Sequence, residues 1–343
     1  MKTKRIYGIL SALALTLCLA ATAQARVQLP STGKAAAQIS APSLTPTAVQ
    51  PSPKKARPAQ WTVMVYLNGN SNLAPDTLRI VDEMERIGSS ADMQLVAHIT
   101  RRGDQLREPA PYVQTESGLI VPSHQIIEPD DVTGGTYRYH VLKDKLDGSV
   151  SSMPLYAAGD PGSSATLLDF VKWAKAAYPA RHYMLMIYGH GAGMMGTSAS
   201  DEAGGGSSMT IPDLAFALRG AGGVDVLFFY SCLMQMAEVS ARLDGAAKVI
   251  LGSETSMLTG VPFESMFQAV HDNLSQDAQG VGAAIFSEVA NNDTRLGGTD
   301  PVFALSVVKP SGIRKVIPAL NAYVSAVMKA QDLDSALAAR DNV

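Results

Sequence analysis

Short apolar runs that alternate with amphipathic helices constrain this chain more than any other feature. "HYMLMIY" (His182–Tyr188) and "VDVLFFY" (Val224–Tyr230) are nearly continuous in apolar character, as expected of strands buried on both faces. Between them "TIPDLAFALRG" reads as one short helix, with Thr210 as N-cap and Pro212 in its first turn. The same alternation runs on either side. "WTVMVYL" (Trp61–Leu67), "MQLVAHIT" (Met93–Thr100) and "KVILGS" (Lys248–Ser253) are further strands, and Pro75 opens a helix to about Ile87. Leu167, Phe170, Val171 and Ala174 share one helical face, with Asp169, Lys172 and Lys175 opposite. A helix expected to begin near Cys232 sets Leu233, Met236, Val239 and Leu243 inward, with Gln235, Glu238 and Arg242 outward. Strands and helices at this spacing form βαβ units, so the expected class is α/β, a mostly parallel β-sheet flanked by helices on both faces. Beyond about Gln279 come a helix, a strand in "PVFALSVVK" and a long Ala-rich helix from about Ser311. Residues 101–160 break into short pieces, with a hairpin expected around Tyr137–Val141.

The first residues have a different origin. Lys2, Lys4 and Arg5 precede an apolar stretch from Ile6, and Ala23-Gln24-Ala25 fits a small-residue cleavage site. The stretch is shorter than the roughly 18 uninterrupted apolar residues of a membrane span. Residues 1–25 therefore read as a signal peptide, and the mature protein as exported, periplasmic or extracellular, with no membrane attachment after signal removal. Residues 26–60 are rich in Pro, Ala, Ser and Thr without apolar period, the composition of a disordered arm. Residues 61–343 form the expected folded domain, whose C-terminal part reads as truncated. Cleavage takes three of the 28 basic residues and none of the 31 acidic ones, moving the formal net charge from −3 to −6. That balance gives no basis for nucleic-acid binding. The sequence sets no oligomeric state.

Cleavage also removes Cys18 and leaves Cys232 as the one cysteine. An unpaired thiol in an oxidising compartment is a reactive group, a partner for an intermolecular bond, or a buried small hydrophobe. Its position separates these readings. In parallel α/β sheets, ligands bind beyond the carboxyl ends of the strands. His190 follows the strand ending at Tyr188, and Cys232 the strand ending at Tyr230. One helix joins those strands, so they can be neighbours. A thiol at a helix N-terminus beside an imidazole has a nucleophile's surroundings. The amides of Gly191 and Cys232 are candidate oxyanion donors. Loop histidine and core cysteine remain the alternatives.

Two segments carry a resemblance. "YPARHYMLMIYGHGAG" (Tyr178–Gly193) resembles the histidine segment of the clostripain family of cysteine peptidases. "VDVLFFYSCLMQM" resembles its cysteine segment, with "SCLM" intact. "WTVMVYLNGNSNL" is similar to the family's opening strand and turn, and "DPVFALSVV" to a later strand. The resemblance implies a caspase- or gingipain-like sandwich, a dyad of His190 and Cys232, a polypeptide substrate cut after a basic residue, and calcium as an ion that could be involved though not required. Two positions depart from the pattern. Tyr230 stands where the family usually has an acidic residue two before the cysteine, which puts the basic P1 preference in doubt. Glu254, beside Ser253 at the next strand end, is the candidate substitute for the substrate-binding acid, with Asp201 and Glu202 weaker ones. Asn70 stands where the family commonly has Asp, which weakens metal binding at that turn; a metal site stays unassigned.

The expected function is thus a secreted cysteine endopeptidase acting through a thioacyl-enzyme. The alternative is a catalytically degenerate relative that binds without turnover, with Tyr230 filling the pocket. Ser231 as nucleophile is a further alternative. An α/β-hydrolase reading of "GHGAG" fails because the chain has no G-x-S-x-G elbow.

Overall fold

The first strand, β1 (Ala59–Gly69), sets the layering of the molecule. Trp61, Val63, Val65 and Leu67 face one side, Met64 and Tyr66 the other, and all six are fully buried. A strand apolar on both faces must be covered on both. The protein is described here by a computed structural model comprising residues 57–101, 135–144, 150–200, 206–257, 263–295, 304–330 and 333–340. The expected signal peptide, most of the arm, Asp201 and Glu202 lie outside the described residues.

Seven further strands join β1: β2 (Met93–Arg101), β3 (Gly135–His140), β4 (Pro154–Ala157), β5 (Ala180–Tyr188), β8 (Val224–Tyr230), β9 (Ala247–Ser253) and β10 (Leu305–Val308). Their order across the sheet is β10-β9-β8-β5-β1-β2-β3-β4. The five strands from β9 to β2 are mutually parallel, while β10, β3 and β4 add antiparallel edges. The expectation of a mostly parallel sheet with helices on both faces holds.

One face is covered by α1 (Ala74–Ile87), α5 (Phe263–Asp272) and α6 (Ala278–Arg295), which contribute Ile80, Met84, Phe263, Phe267, Val281 and Ile285 to a single core. The other is covered by α2 (Ser164–Ala177), α3 (Ile211–Gly220) and α4 (Ala237–Arg242), with Leu167, Phe170, Leu214 and Val239 inward. Local chemistry starts these helices where the sequence indicated. The Ser163 hydroxyl caps α2, and the Thr210 hydroxyl accepts the Asp213 amide at 3.2 Å to cap α3. Two C-terminal helices follow, α7 (Ile313–Ala330) and α8 (Leu333–Arg340), and no described helix is long and apolar enough to cross a membrane.

Two expectations fail. Tyr137–His140 lie within the single strand β3, between β2 and β4, and make no hairpin turn. No helix begins at Cys232; residues 232–235 form a turn, and α4 starts at Ala237. Leu233 adopts a left-handed backbone, φ 64°, which interrupts any helical run. The amides that would have opened a helix go elsewhere. Leu233 N–H donates to the Thr255 carbonyl at 3.0 Å, and Gln235 N–H to that of Ser253 at 3.1 Å. The turn is thus bonded to the end of β9, and Leu233, expected inward, is 36% exposed. The helix-dipole argument for Cys232 falls with it.

Candidate active site

Strand register brings the two motif residues to one place. β5 and β8 are adjacent and parallel, with Tyr188 opposite Tyr230. His190 and Cys232 each lie two residues beyond that pair, so both emerge at the carboxyl edge of the sheet. On the other side of β5 lies β1, with Leu67 opposite Tyr188, so the turn after β1 reaches the same edge.

His190 opens a small ribbon in which β6 (His190–Gly191) pairs antiparallel with β7 (Thr197–Ala199). The side-chain amide of Asn68, at the end of β1, donates to the Ser198 carbonyl at 2.8 Å and holds this ribbon against the sheet. Gly191 shows how tightly the two motifs meet. A Cβ there would stand 2.4 Å from the Cys232 carbonyl oxygen and 2.9 Å from the Ser231 Cβ. Only glycine permits that approach. Gly193 has φ 60° and would meet the Met236 sulfur at 2.5 Å, so the next turn packs onto the cysteine segment as well. The imidazole Nε2 of His190 lies 2.7 Å from Oδ1 of Asn72.

Cys232 is free and partly buried. Its sulfur accepts the Met257 amide at 3.3 Å and stands 3.8 Å from the Met257 carbonyl. A backbone donor on sulfur is one that a thiolate can keep. Ser231 is placed differently: its hydroxyl is buried and directed to the Ile187 carbonyl at 3.4 Å, away from the open edge.

Beneath this edge is an aromatic floor. Tyr188 and Tyr230 stack at 5.7 Å between centroids, and Phe263 lies 4.8 Å from Tyr230. Tyr230 is buried and belongs to the core. The Tyr188 hydroxyl donates to Asp76 Oδ2 at 2.8 Å. Burial, followed by the adjacent Asp76 carboxylate, holds that hydroxyl well above the usual range, so it stays a donor. Arg79 bonds Asp76 at 3.1 Å and Glu83 at 2.6 Å, and its guanidinium lies over the Phe263 ring. Burial disfavours the Arg79 cation, but Glu83 and Asp76 more than offset it. Glu83 in turn accepts the Phe263 and Glu264 amides that open α5. Both carboxylates under the site are therefore already paired.

His190, Gly191 and Cys232 come together, with Tyr230 directly below. Ser253 is buried, its hydroxyl on Thr255, while Glu254 is exposed at the tip of β9 with its amide on the Ala304 carbonyl. Asn70 donates its amide to the Asn68 side chain. No group of three or more His, Cys, Asp or Glu side chains able to hold a metal ion occurs among the described residues. Sequence reasoning missed two contributors. Asn72 was visible only as part of a turn after β1, and Met257 acts through its backbone, which no residue type announces.

Solved structures share this fold. A secreted C11 cysteine protease from Bacteroides thetaiotaomicron, solved with an irreversible peptide inhibitor, superposes with a TM-score of 0.52 at 20% identity, covering 74% of this chain and 67% of its own. An inactive zymogen C11 protease from Parabacteroides distasonis gives 0.52 at 22% identity, covering 76% and 64%. This chain thus spans about two thirds of the length of either. At such identities the likeness establishes the fold, which is caspase-like. No curated protein matches the sequence. Residues 119–341, which contain both His190 and Cys232, match the sequence profile of the clostripain family. With that match covering well over half of the sequence, the chain belongs to the clostripain family of cysteine peptidases.

Proposed function

We propose that this protein is an exported cysteine endopeptidase in which Cys232 is the nucleophile and His190 the proton shuttle. The observation that carries the reading is the Tyr188–Tyr230 register, together with the close packing of Gly191 on Cys232. His190 takes the thiol proton, and the thiolate attacks the scissile carbonyl of a polypeptide. The tetrahedral oxyanion is held by the amides of Gly191 and Cys232. His190 then protonates the departing amine, and water attacks the thioacyl-enzyme to release the acid and restore the thiol.

The acyl-side residue of the substrate is read as uncharged. Tyr230 supplies a buried ring where a carboxylate would have met a basic side chain, and Asp76 and Glu83 are both engaged by Arg79. Glu254, with Ser253 behind it, is an exposed carboxylate at the neighbouring strand tip and, among the described residues, the candidate to reverse that preference. A peptide library varied at P1, assayed with and without a calcium chelator, tests the whole proposal. Cleavage after uncharged residues, unaffected by chelation and abolished in Cys232→Ala, is expected. No cleavage of any member by folded protein with an accessible thiol would overturn it.

The burial of Tyr230 favours a second reading, a family member that binds peptides without turning them over. Complete labelling of Cys232 by an acyloxymethyl-ketone peptide argues against that reading; an alkylator-reactive thiol that ignores such peptides argues for it.

A further inference from the structure

We infer that Asn72 positions the imidazole of His190, fixing the tautomer that leaves Nδ1 to face the sulfur of Cys232. The inference rests on the dyad reading above. Among the described residues His190 makes no ion pair, and the contact that fixes its ring is the 2.7 Å bond from Nε2 to Asn72 Oδ1. The carboxylate in the first turn of α1, Asp76, is taken by Tyr188 and Arg79.

An amide oxygen can only accept, so Nε2 must carry the proton in the neutral ring. Nδ1 is then the basic nitrogen, free for the thiol. The opposite amide orientation would donate to Nε2 and leave a proton on Nδ1, where it blocks the transfer. Once His190 has taken the thiol proton, both ring nitrogens are donors. The oxygen-facing orientation alone serves both charge states, because Nε2 donates to the same acceptor before and after transfer. The bond therefore needs no rearrangement during the reaction.

The acceptor is itself held. Asn72 lies in a turn held by three backbone amides: Asn70 N–H on Asn68 Oδ1 at 2.9 Å, Leu73 N–H on Ser71 Oγ at 3.2 Å, and Ala74 N–H on the Ser71 carbonyl at 3.1 Å. Asn68 also holds the ribbon that carries His190. One short segment thus fixes the histidine backbone through Asn68 and its ring through Asn72.

Two measurements on the full chain test this. Nitrogen-15 NMR of the histidines, with His190 assigned by loss of its signal in His190→Gln, reports the tautomer directly and needs no catalysis. The Nε2-protonated form is expected in the wild type and a mixture in Asn72→Ala. An Nδ1-protonated ring, or a tautomer indifferent to Asn72→Ala, overturns the inference. In the peptide assay, Asn72→Ala is expected to lower kcat on the order of ten- to a hundred-fold, with KM nearly unchanged. The acid limb of kcat/KM should move to lower pH in Asn72→Ala, and up by about one pH unit in Asn72→Asp, where a carboxylate faces the imidazolium. A purely structural role would lower folded fraction and leave that limb in place, which would refute the assignment. If the wild type cuts no peptide, the peptidase reading fails alone, and the tautomer still decides the role of Asn72.

Discussion

His98 gives the most quantitative prediction of the fold. It lies in β2, fully buried, stacked on Tyr66 at 4.9 Å and 5.2 Å from Phe170, and neither ring nitrogen has a hydrogen-bond partner among the described residues. Burial, and then the cation of Arg138 opposite it on β3, push its pKa down to about 3. The unfolded chain binds a proton there near pH 6.5, whereas the folded protein does not until far lower pH. The stabilisation from keeping this ring neutral is therefore complete above about pH 6.5 and is lost as pH falls toward 3. Between pH 7 and pH 5 the loss covers roughly 1.5 pH units at about 1.4 kcal/mol each, or about 2 kcal/mol. His98→Phe keeps a planar ring in the stack and removes the titration. Urea unfolding followed by tryptophan fluorescence, in a Cys232→Ala background to prevent self-cleavage, measures both proteins at pH 7 and pH 5. The histidine protein should lose about 2 kcal/mol more than the phenylalanine variant across that interval. Equal losses would mean that the folded ring accepts its proton in place, and the burial argument would be wrong.

The site and its supports offer three more tests. Gly191→Ala forces a methyl against the Cys232 carbonyl, so peptide cleavage should fall at least tenfold while circular dichroism still reports a folded sheet. Arg79→Ala leaves Asp76 and Glu83 under the site without their cation, and a loss of about 3 kcal/mol in urea unfolding is expected. Ser231→Ala removes a buried hydroxyl that faces Ile187, so it should cost about 1 kcal/mol of stability and leave turnover in place; a dead Ser231→Ala with a reactive Cys232 would reopen the choice of nucleophile.

The fold was legible where apolar pattern alone determines structure. β8 matches its expected span, and β5 starts two residues earlier than expected, because "VLFFY" and "MLMIY" are apolar on both faces and only a covered parallel strand accommodates that. Thr210 and Pro212 marked the start of α3 because capping is a local interaction. The failures have the opposite character. Leu233 looked like a helix-face leucine, yet its amide bonds Thr255, 22 residues away in sequence, and no propensity encodes that partner. Helix α5 was not anticipated; its first amides are held by Glu83, 180 residues earlier.

The candidate site divides along the same line. His190 and Cys232 could be placed at one edge because strand adjacency follows from a single short crossover, and β5 and β8 are indeed neighbours. The surroundings of the thiol could not be placed so. The sequence suggested a helix dipole at Cys232; the structure supplies the Met257 amide, and the partner of the histidine comes from the turn after β1. What sequence did contain was the glycine between them. "GHGAG" is flexible in isolation, but with Cys232 at 2.4 Å from a hypothetical Cβ, Gly191 is the residue that lets two separate motifs share one volume. The chemistry proposed for this edge thus depends on contacts among four strand ends, and a chain that kept His190 and Cys232 but lost Gly191 or Asn72 would keep the motif without the geometry.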